Sequence, residues 1–239
     1  MIEELLPAGV AAAEAYDDPA EARLLPAEEA LVGGAVEKRR REFTTGRHLA
    51  RRALAELGVP PVALLAGPRR EPRWPDGTVG SITHCAGYRA AVAARAGTLL
   101  STGIDAEPNE PLPAGVLDSI ALPEERSRVA ELLRREPAVR WDRLLFSIKE
   151  SVYKAWYPLT GRWLDFEEAD VTVDPAAGTF RARLLVPPPA LPDGRPLGGF
   201  TGRWLARRGL VLAAIAVPVA GPPAARRPAD PAGARPASG

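Results

Sequence analysis

Residues 139–157, VRWDRLLFSIKESVYKAWY, do most to narrow the folds open to this chain. Trp141, Leu144, Leu145, Ile148, Val152 and Ala155 recur with the 3.6-residue period of an α-helix, so one face must be buried. Pro158 is expected to stop the helix, because proline lacks an N–H and its ring crowds the preceding turn. Three strand candidates follow, at 165–174, 179–186 and a hairpin over 200–217 that turns at Arg208-Gly209.

A second amphipathic helix is predicted over 35–58. It carries Val36, Phe43, Ala50, Leu54 and Leu57 on one side and six arginines, Arg39 to Arg41, Arg47, Arg51 and Arg52, on the other. Gly58-Val59-Pro60-Pro61 ends it. Segments 77–85 and 89–96 read as a hairpin, 98–107 as a third strand, and 123–136 as a further helix after a proline-rich connection. A helix followed by about three antiparallel strands thus occurs twice. The expected class is α+β: two pseudo-symmetric halves, 1–107 and 108–217, each a helix packed on a small, mostly antiparallel sheet. No residue-level repeat accompanies the duplication. The segment 218–239 holds six prolines, seven alanines and no aromatic residue, so it is expected to be a disordered tail.

Composition removes several function classes. Lys+Arg 31 against Asp+Glu 30 leaves a net charge of +1, which is no basic coat for nucleic acid. One cysteine and two histidines exclude an internal disulfide and a four-ligand Cys/His zinc site. The longest apolar run, 210–220, is far short of the roughly 20 residues a membrane helix needs. Glu3 and Glu4 stand where a signal peptide would be positive. A soluble, cytoplasmic protein without membrane contact is expected.

Neither G-x-x-x-x-G-K-[ST] nor G-x-G-x-x-G is present, and Gly-x-Ser-x-Gly is also missing. Cys85 adjoins His84, but neighbours on a strand face opposite ways, so Cys85 reads as a buried structural thiol. Asp105 and Glu107, two apart at a strand end, project from one face and can converge on a hard cation; they can equally be solvated carboxylates. Glu150 and Lys154 fit a helix-surface ion pair. Yet only three of the 31 cationic side chains are lysines, and Lys149 and Lys154 are two of them. Phe146, Tyr153 and Tyr157 flank Glu150 on one helix face, which suggests a lined site.

WPDGTVGSITHCAGYRAAVAAR (74–95), TGIDAEP (102–108) and FSIKESVYKAWYPLTGRWLDFEEA (146–169), with RRREFTTGRHLARRAL (39–54) before them, resemble the 4′-phosphopantetheinyl transferases of the enterobactin-type and actinobacterial branch, related to the surfactin type. The likeness covers about 36–217 and is specific because four motifs occur in order.

The resemblance implies a monomer with coenzyme A in a cleft between the halves. It also implies transfer of the 4′-phosphopantetheine arm to a serine of an apo acyl, peptidyl or aryl carrier protein, releasing 3′,5′-ADP. Such carriers serve polyketide, non-ribosomal peptide, siderophore or fatty-acid synthesis. By the same resemblance Asp105, Glu107 and Glu150 hold Mg²⁺, with Mn²⁺ as a substitute. Arg39, Arg47, Arg70, Ser81, Thr83 and His84 contact the nucleotide and phosphates, and Lys149 and Lys154 neutralise the diphosphate. Phe146, Tyr153 and Trp163 line the pantetheine slot. Glu150 is the expected base, with Glu107 working through a metal-held water as the competitor and Lys154 assisting. Ala66 departs from the pattern where relatives often carry lysine; Arg69 or Arg70 are the replacements. Two other readings are a nucleic-acid module built on the arginine helix 38–52 and a catalytically weak coenzyme A-binding homologue.

Overall fold

The computed structural model describes residues 1–220. In chain order they form β1 (Val10–Ala15), α1 (Pro26–Glu29), α2 (Glu37–Glu56), β2 (Thr78–Cys85), β3 (Tyr88–Arg95) and β4 (Leu99–Pro108). There follow α3 (Val116–Ile120), α4 (Pro123–Arg135), α5 (Trp141–Thr160), β5 (Ala169–Asp174), β6 (Thr179–Leu184), β7 (Gly199–Arg207) and β8 (Leu210–Pro218). Two antiparallel sheets result, ordered β1-β3-β2 and β4-β8-β7-β6-β5. The α+β class and the two helix-on-sheet halves are as expected.

Strand period assembles the halves. On β3, Ala91 and Ala93 share a core with Leu49, Ala50, Ala53 and Leu54 of α2, while Tyr88, Ala90 and Val92 face the other way. That second face packs against Ile104, Ala106, Leu210, Leu212 and Ala214 of the larger sheet. The opposite side of β8, with Val211, Ala213 and Ile215, packs on Leu144, Ile148, Val152 and Trp156 of α5. Each helix therefore buries its apolar stripe on its own sheet, and the sheets bury their backs on each other.

Three expectations need correction. Strand β4 was expected in the N-terminal half, but it pairs with β8 and is the edge of the C-terminal sheet. Its other edge meets β2 through side chains: Ser81 Oγ and Thr83 Oγ1 accept the N–H groups of Ile104 and Ala106, both at 3.1 Å. Helix α5 does not stop at Pro158. It runs on to Thr160 and closes at Gly161 in the left-handed region, φ 63°, where glycine costs nothing. Pro158 forfeits only the bond to the Lys154 carbonyl. Strand β1 was not foreseen at all. Its alanines carry no strand signal of their own, yet Ala11 and Ala13 are the small residues that admit α2.

The predicted tail 218–239 falls, from 221 on, outside the described residues. Its first residues are packed rather than loose: Pro218 ends β8 and Val219 N–H donates to the Thr98 carbonyl at 3.1 Å. Among the described residues no helix is long and apolar enough to cross a membrane.

Candidate active site

A cleft of about 760 Å³ opens where α2, β2 and the 69–74 loop face β4 and α5. Gly103 sets how close its walls stand, since any Cβ there would collide with the Ser151 carbonyl. Ser101 Oγ donates to the Ala155 carbonyl at 2.8 Å and seals the same contact. With α5 pressed onto β4, Lys154 reaches Asp105: Nζ lies 2.6 Å from Oδ1 and 3.1 Å from the Ile104 carbonyl. Thr83 Oγ1 donates to the same Oδ1 at 3.2 Å. The second oxygen, Oδ2, is buried and has no hydrogen-bond partner. A buried carboxylate oxygen left bare costs stability unless a donor or cation reaches it.

Glu107, on the same strand face, accepts from Arg143 Nη1 at Oε2, 3.1 Å away. Arg143 is fixed by donating also to the Glu110 and Pro111 carbonyls. Glu150 lines the cleft and, among the described residues, makes no ion pair or hydrogen bond. Burial lifts the Glu150 carboxyl above the usual carboxylate range, against the pull of Lys154 and with the push of Asp105. Glu107 is raised for the same first reason, with Asp105 adding to it and Arg143 opposing. The three carboxylates share one cleft but do not close into the expected three-ligand cluster. No group of three or more His, Cys, Asp or Glu is placed to hold a metal ion among the described residues. Lys154 and Arg143 draw Asp105 and Glu107 to separate partners.

The opposite end of the cleft is cationic. Arg39 Nη1 lies 2.8 Å from His84 Nε2. Arginine only donates, so Nε2 accepts and the ring proton sits on Nδ1, 3.6 Å from Glu42. Burial lowers the His84 pKa, which suits this neutral tautomer. Arg47 is buried, stacks over Phe43 at 4.3 Å and donates Nε–H to the Leu64 carbonyl at 2.8 Å. Burial brings its pKa down to about 10, so it stays charged at neutral pH. Arg70 lines the cleft with φ 65°, an uncommon backbone for an arginine. Phe146, Tyr153 and Tyr157 form an aromatic stretch on α5, and Trp163 lies against Tyr153 at 5.0 Å with Arg69 over its ring at 5.3 Å.

Lys149 is elsewhere. It is absent from the lining of the large cleft and is buried 2.8 Å from Glu125 Oε2, donating to the Phe166 and Ala169 carbonyls. Burial lowers its pKa despite Glu125. Its expected contact with a diphosphate is therefore corrected to a structural ion pair joining α4, α5 and β5. Ser81 and Thr83 do border the cleft, but their hydroxyls are committed to the seam with β4. Trp163 is half exposed at the rim, beside a small recess formed with Leu164 and Phe166. Arg143 and Glu42 were missed. Arg143 lies two helical turns before Glu150 on α5, a spacing that could have drawn attention to it.

Cys85 is a free, buried thiol whose pKa burial pushes up to about 12. At pH 8 its alkylation by iodoacetamide is expected to be at least about a hundredfold slower in the folded protein than in urea, read by mass spectrometry. Equal rates would show that the thiol is accessible.

Two family models match the chain: the 4′-phosphopantetheinyl transferase N-terminal domain over residues 27–94 and the 4′-phosphopantetheinyl transferase superfamily over residues 101–191. The chain is 58% identical over 221 residues to the 4′-phosphopantetheinyl transferase Svp of Streptomyces mobaraensis, covering 91% of this chain and 89% of the relative. It is 53% identical to the 4′-phosphopantetheinyl transferase Npt of Nocardia iowensis, covering 90% and 99%. Enterobactin synthase component D of Salmonella typhimurium is 40% identical over 121 residues, half of this chain and 49% of that protein.

Proposed function

The chain belongs to the 4′-phosphopantetheinyl transferases, and from that premise we propose that the cleft between α2 and α5 is where it acts. The enzyme transfers the 4′-phosphopantetheine arm of coenzyme A to a serine of an apo carrier protein and releases 3′,5′-ADP. One observation supports the placing above others: Asp105 Oδ2 is buried and bare beside a cleft that also holds Glu107 and Glu150. This donor set is all oxygen and anionic, as a hard divalent cation requires. Mg²⁺, with Mn²⁺ as a substitute, would be held by Asp105, Glu107 and Glu150, which requires Glu107 to leave Arg143 and the three carboxylates to draw closer than they stand here. Such an ion supplies charge neutralisation on the diphosphate.

In this reading the protein's own residues do the rest. Arg39, Arg47 and Arg70 bind the phosphates of coenzyme A, the guanidinium fork being suited to a terminal phosphate. His84, neutral and pinned by Arg39 at Nε2, has its Nδ1–H to donate beside them. Lys154 orients Asp105 and offsets diphosphate charge. Phe146, Tyr153 and Trp163 shield the arm from water. The serine oxygen bonds to the phosphorus that carries the arm, the bond from that phosphorus to 3′,5′-ADP breaks, and Glu150 takes the serine proton.

One chain supplies both walls of the cleft, which supports a monomer as the active species. The halves divide at 96–98, between the two matched regions. Against a nucleic-acid role for the arginine helix, Arg47 and Arg51 point inward and Arg41 pairs with Asp18 and Glu37, which leaves Arg40 and Arg52 as its exposed arginines without an ion pair among the described residues. A free, buried cysteine suits the reducing cytoplasm.

Incubated with coenzyme A, Mg²⁺ and a panel of acyl, peptidyl and aryl carriers, the protein is expected to add one phosphopantetheine arm to a carrier serine, seen as a mass gain. Unchanged mass across the panel would overturn the reading.

A further inference from the structure

The arginines of the cleft are held from behind by a carboxylate that never meets it. Glu28, on α1, is fully buried. Its Oε1 accepts the Leu64 N–H at 2.9 Å, its Oε2 accepts the Leu25 N–H at 2.9 Å, and Arg51 Nη1 lies 2.7 and 2.8 Å from the two oxygens. Arg51 is tied in turn to the Arg23 carbonyl. Leu64, across its Cα from that N–H, presents its carbonyl to Arg47 Nε at 2.8 Å. With Nε taken, the guanidinium of Arg47 has its plane set, and its remaining N–H groups are uncommitted among the described residues.

The same anchor sits at the base of a short hairpin. Leu65 accepts the Arg73 N–H, Gly67 N–H donates to Glu71, and Ala66 bridges Pro72. Arg69 and Arg70 stand at the tip and border the cleft. Glu71 keeps that tip tight by accepting the Arg69 N–H through its side chain at 2.9 Å.

We propose that Glu28 is a positioning residue for the phosphate end of the cleft, acting through the backbone of Leu64 on Arg47 and through the hairpin on Arg70. The inference rests on the reading of Arg47 as a coenzyme A ligand. Glu28 touches neither substrate, so its effect falls on the binding of coenzyme A and spares both the carrier and the chemical step. A carboxylate that only stabilised the fold would lower the melting temperature and leave the Michaelis constants alone.

The test is a double-mutant cycle with E28Q, R47A and E28Q/R47A, assayed well below the melting temperature of each. R47A is expected to raise the KM for coenzyme A. E28Q is expected to raise it about tenfold, the scale of one misaligned charge-assisted hydrogen bond, with kcat and the KM for carrier within about twofold. In the R47A background E28Q should add less than about twofold, because its main lever is gone. If R47A leaves the KM for coenzyme A unchanged, the assignment of Arg47 is wrong. If R47A acts but E28Q is silent, or acts equally in both backgrounds, the relay through Leu64 is wrong. Should E28Q not fold alone, E28Q/R51Q, which buries no lone charge, takes its place in the cycle with the same criteria.

Discussion

Glu150→Gln is expected to lower kcat by at least about 10²-fold, the usual scale for removing one acid–base group, while binding of coenzyme A persists. The choice of Glu150 over Glu107 comes from what holds each carboxylate. Asp105 carries Lys154 and a threonine hydroxyl on one oxygen, and Glu107 carries Arg143. A carboxylate tied to a fixed lysine or arginine is a weaker base and is not free to turn toward an incoming hydroxyl. Glu150 carries no lysine or arginine among the described residues and faces the cleft from α5, so even as a ligand of the ion it keeps carboxylate capacity that no protein group has taken. Glutamine keeps the shape and the hydrogen-bonding reach but cannot take the proton. Glu107→Gln separates the two roles. It should weaken the apparent metal affinity and recover much of kcat at saturating metal, whereas Glu150→Gln should not recover. The reverse pattern would hand the proton to Glu107.

The parts of the site that were legible in the sequence share one property: their placement follows from local period. Asp105 and Glu107 alternate with Ile104 and Ala106 on β4, and period 2 alone puts the carboxylates together. Phe146, Glu150, Tyr153 and Tyr157 follow from helical spacing on α5. What stayed hidden depended on distant segments. Strand β4 looked like a partner of the preceding hairpin because it follows it in sequence, but its ladder is with β8, more than a hundred residues on. Ser81 and Thr83 gave no hint that they would substitute for a backbone ladder at its other edge. Arg47 was recognisable as a basic residue on a basic helix face; that Leu64 and Glu28 would fix its direction was not, since both lie on loops or short turns without a period. The two halves were legible as an order of elements, while the unequal sheets, three strands against five, were not.

Lys149→Met is expected to unfold the protein more easily without harming coenzyme A binding, and the contrast with Lys154 is the point. Neighbours on a helix point about 100° apart, and only Glu150 of the two lines the large cleft; Lys149 borders just the small recess beside it. Lys149 goes inward, where its side chain and that of Glu125 are each only 1% exposed. Removing the ammonium leaves a buried carboxylate with two backbone donors, Leu122 N–H and Val171 N–H, as its only consolation. Breaking such a pair typically costs about 3–5 kcal/mol, and the two remaining bonds put this case at the lower end, about 3. For a domain of this size that is a fall in Tm of roughly 6–12 °C. The KM for coenzyme A should stay within about twofold when measured well below Tm. Glu125→Gln with Lys149→Met should recover part of the loss, because the neutral pair buries no charge. Lys154→Met, by contrast, should spare Tm more and reduce turnover, since it frees Asp105 Oδ1 in the cleft. A variant at 149 that keeps its Tm and loses affinity for coenzyme A would return Lys149 to the diphosphate, and with it the view that the lysine pair in this helix acts as one cationic clamp.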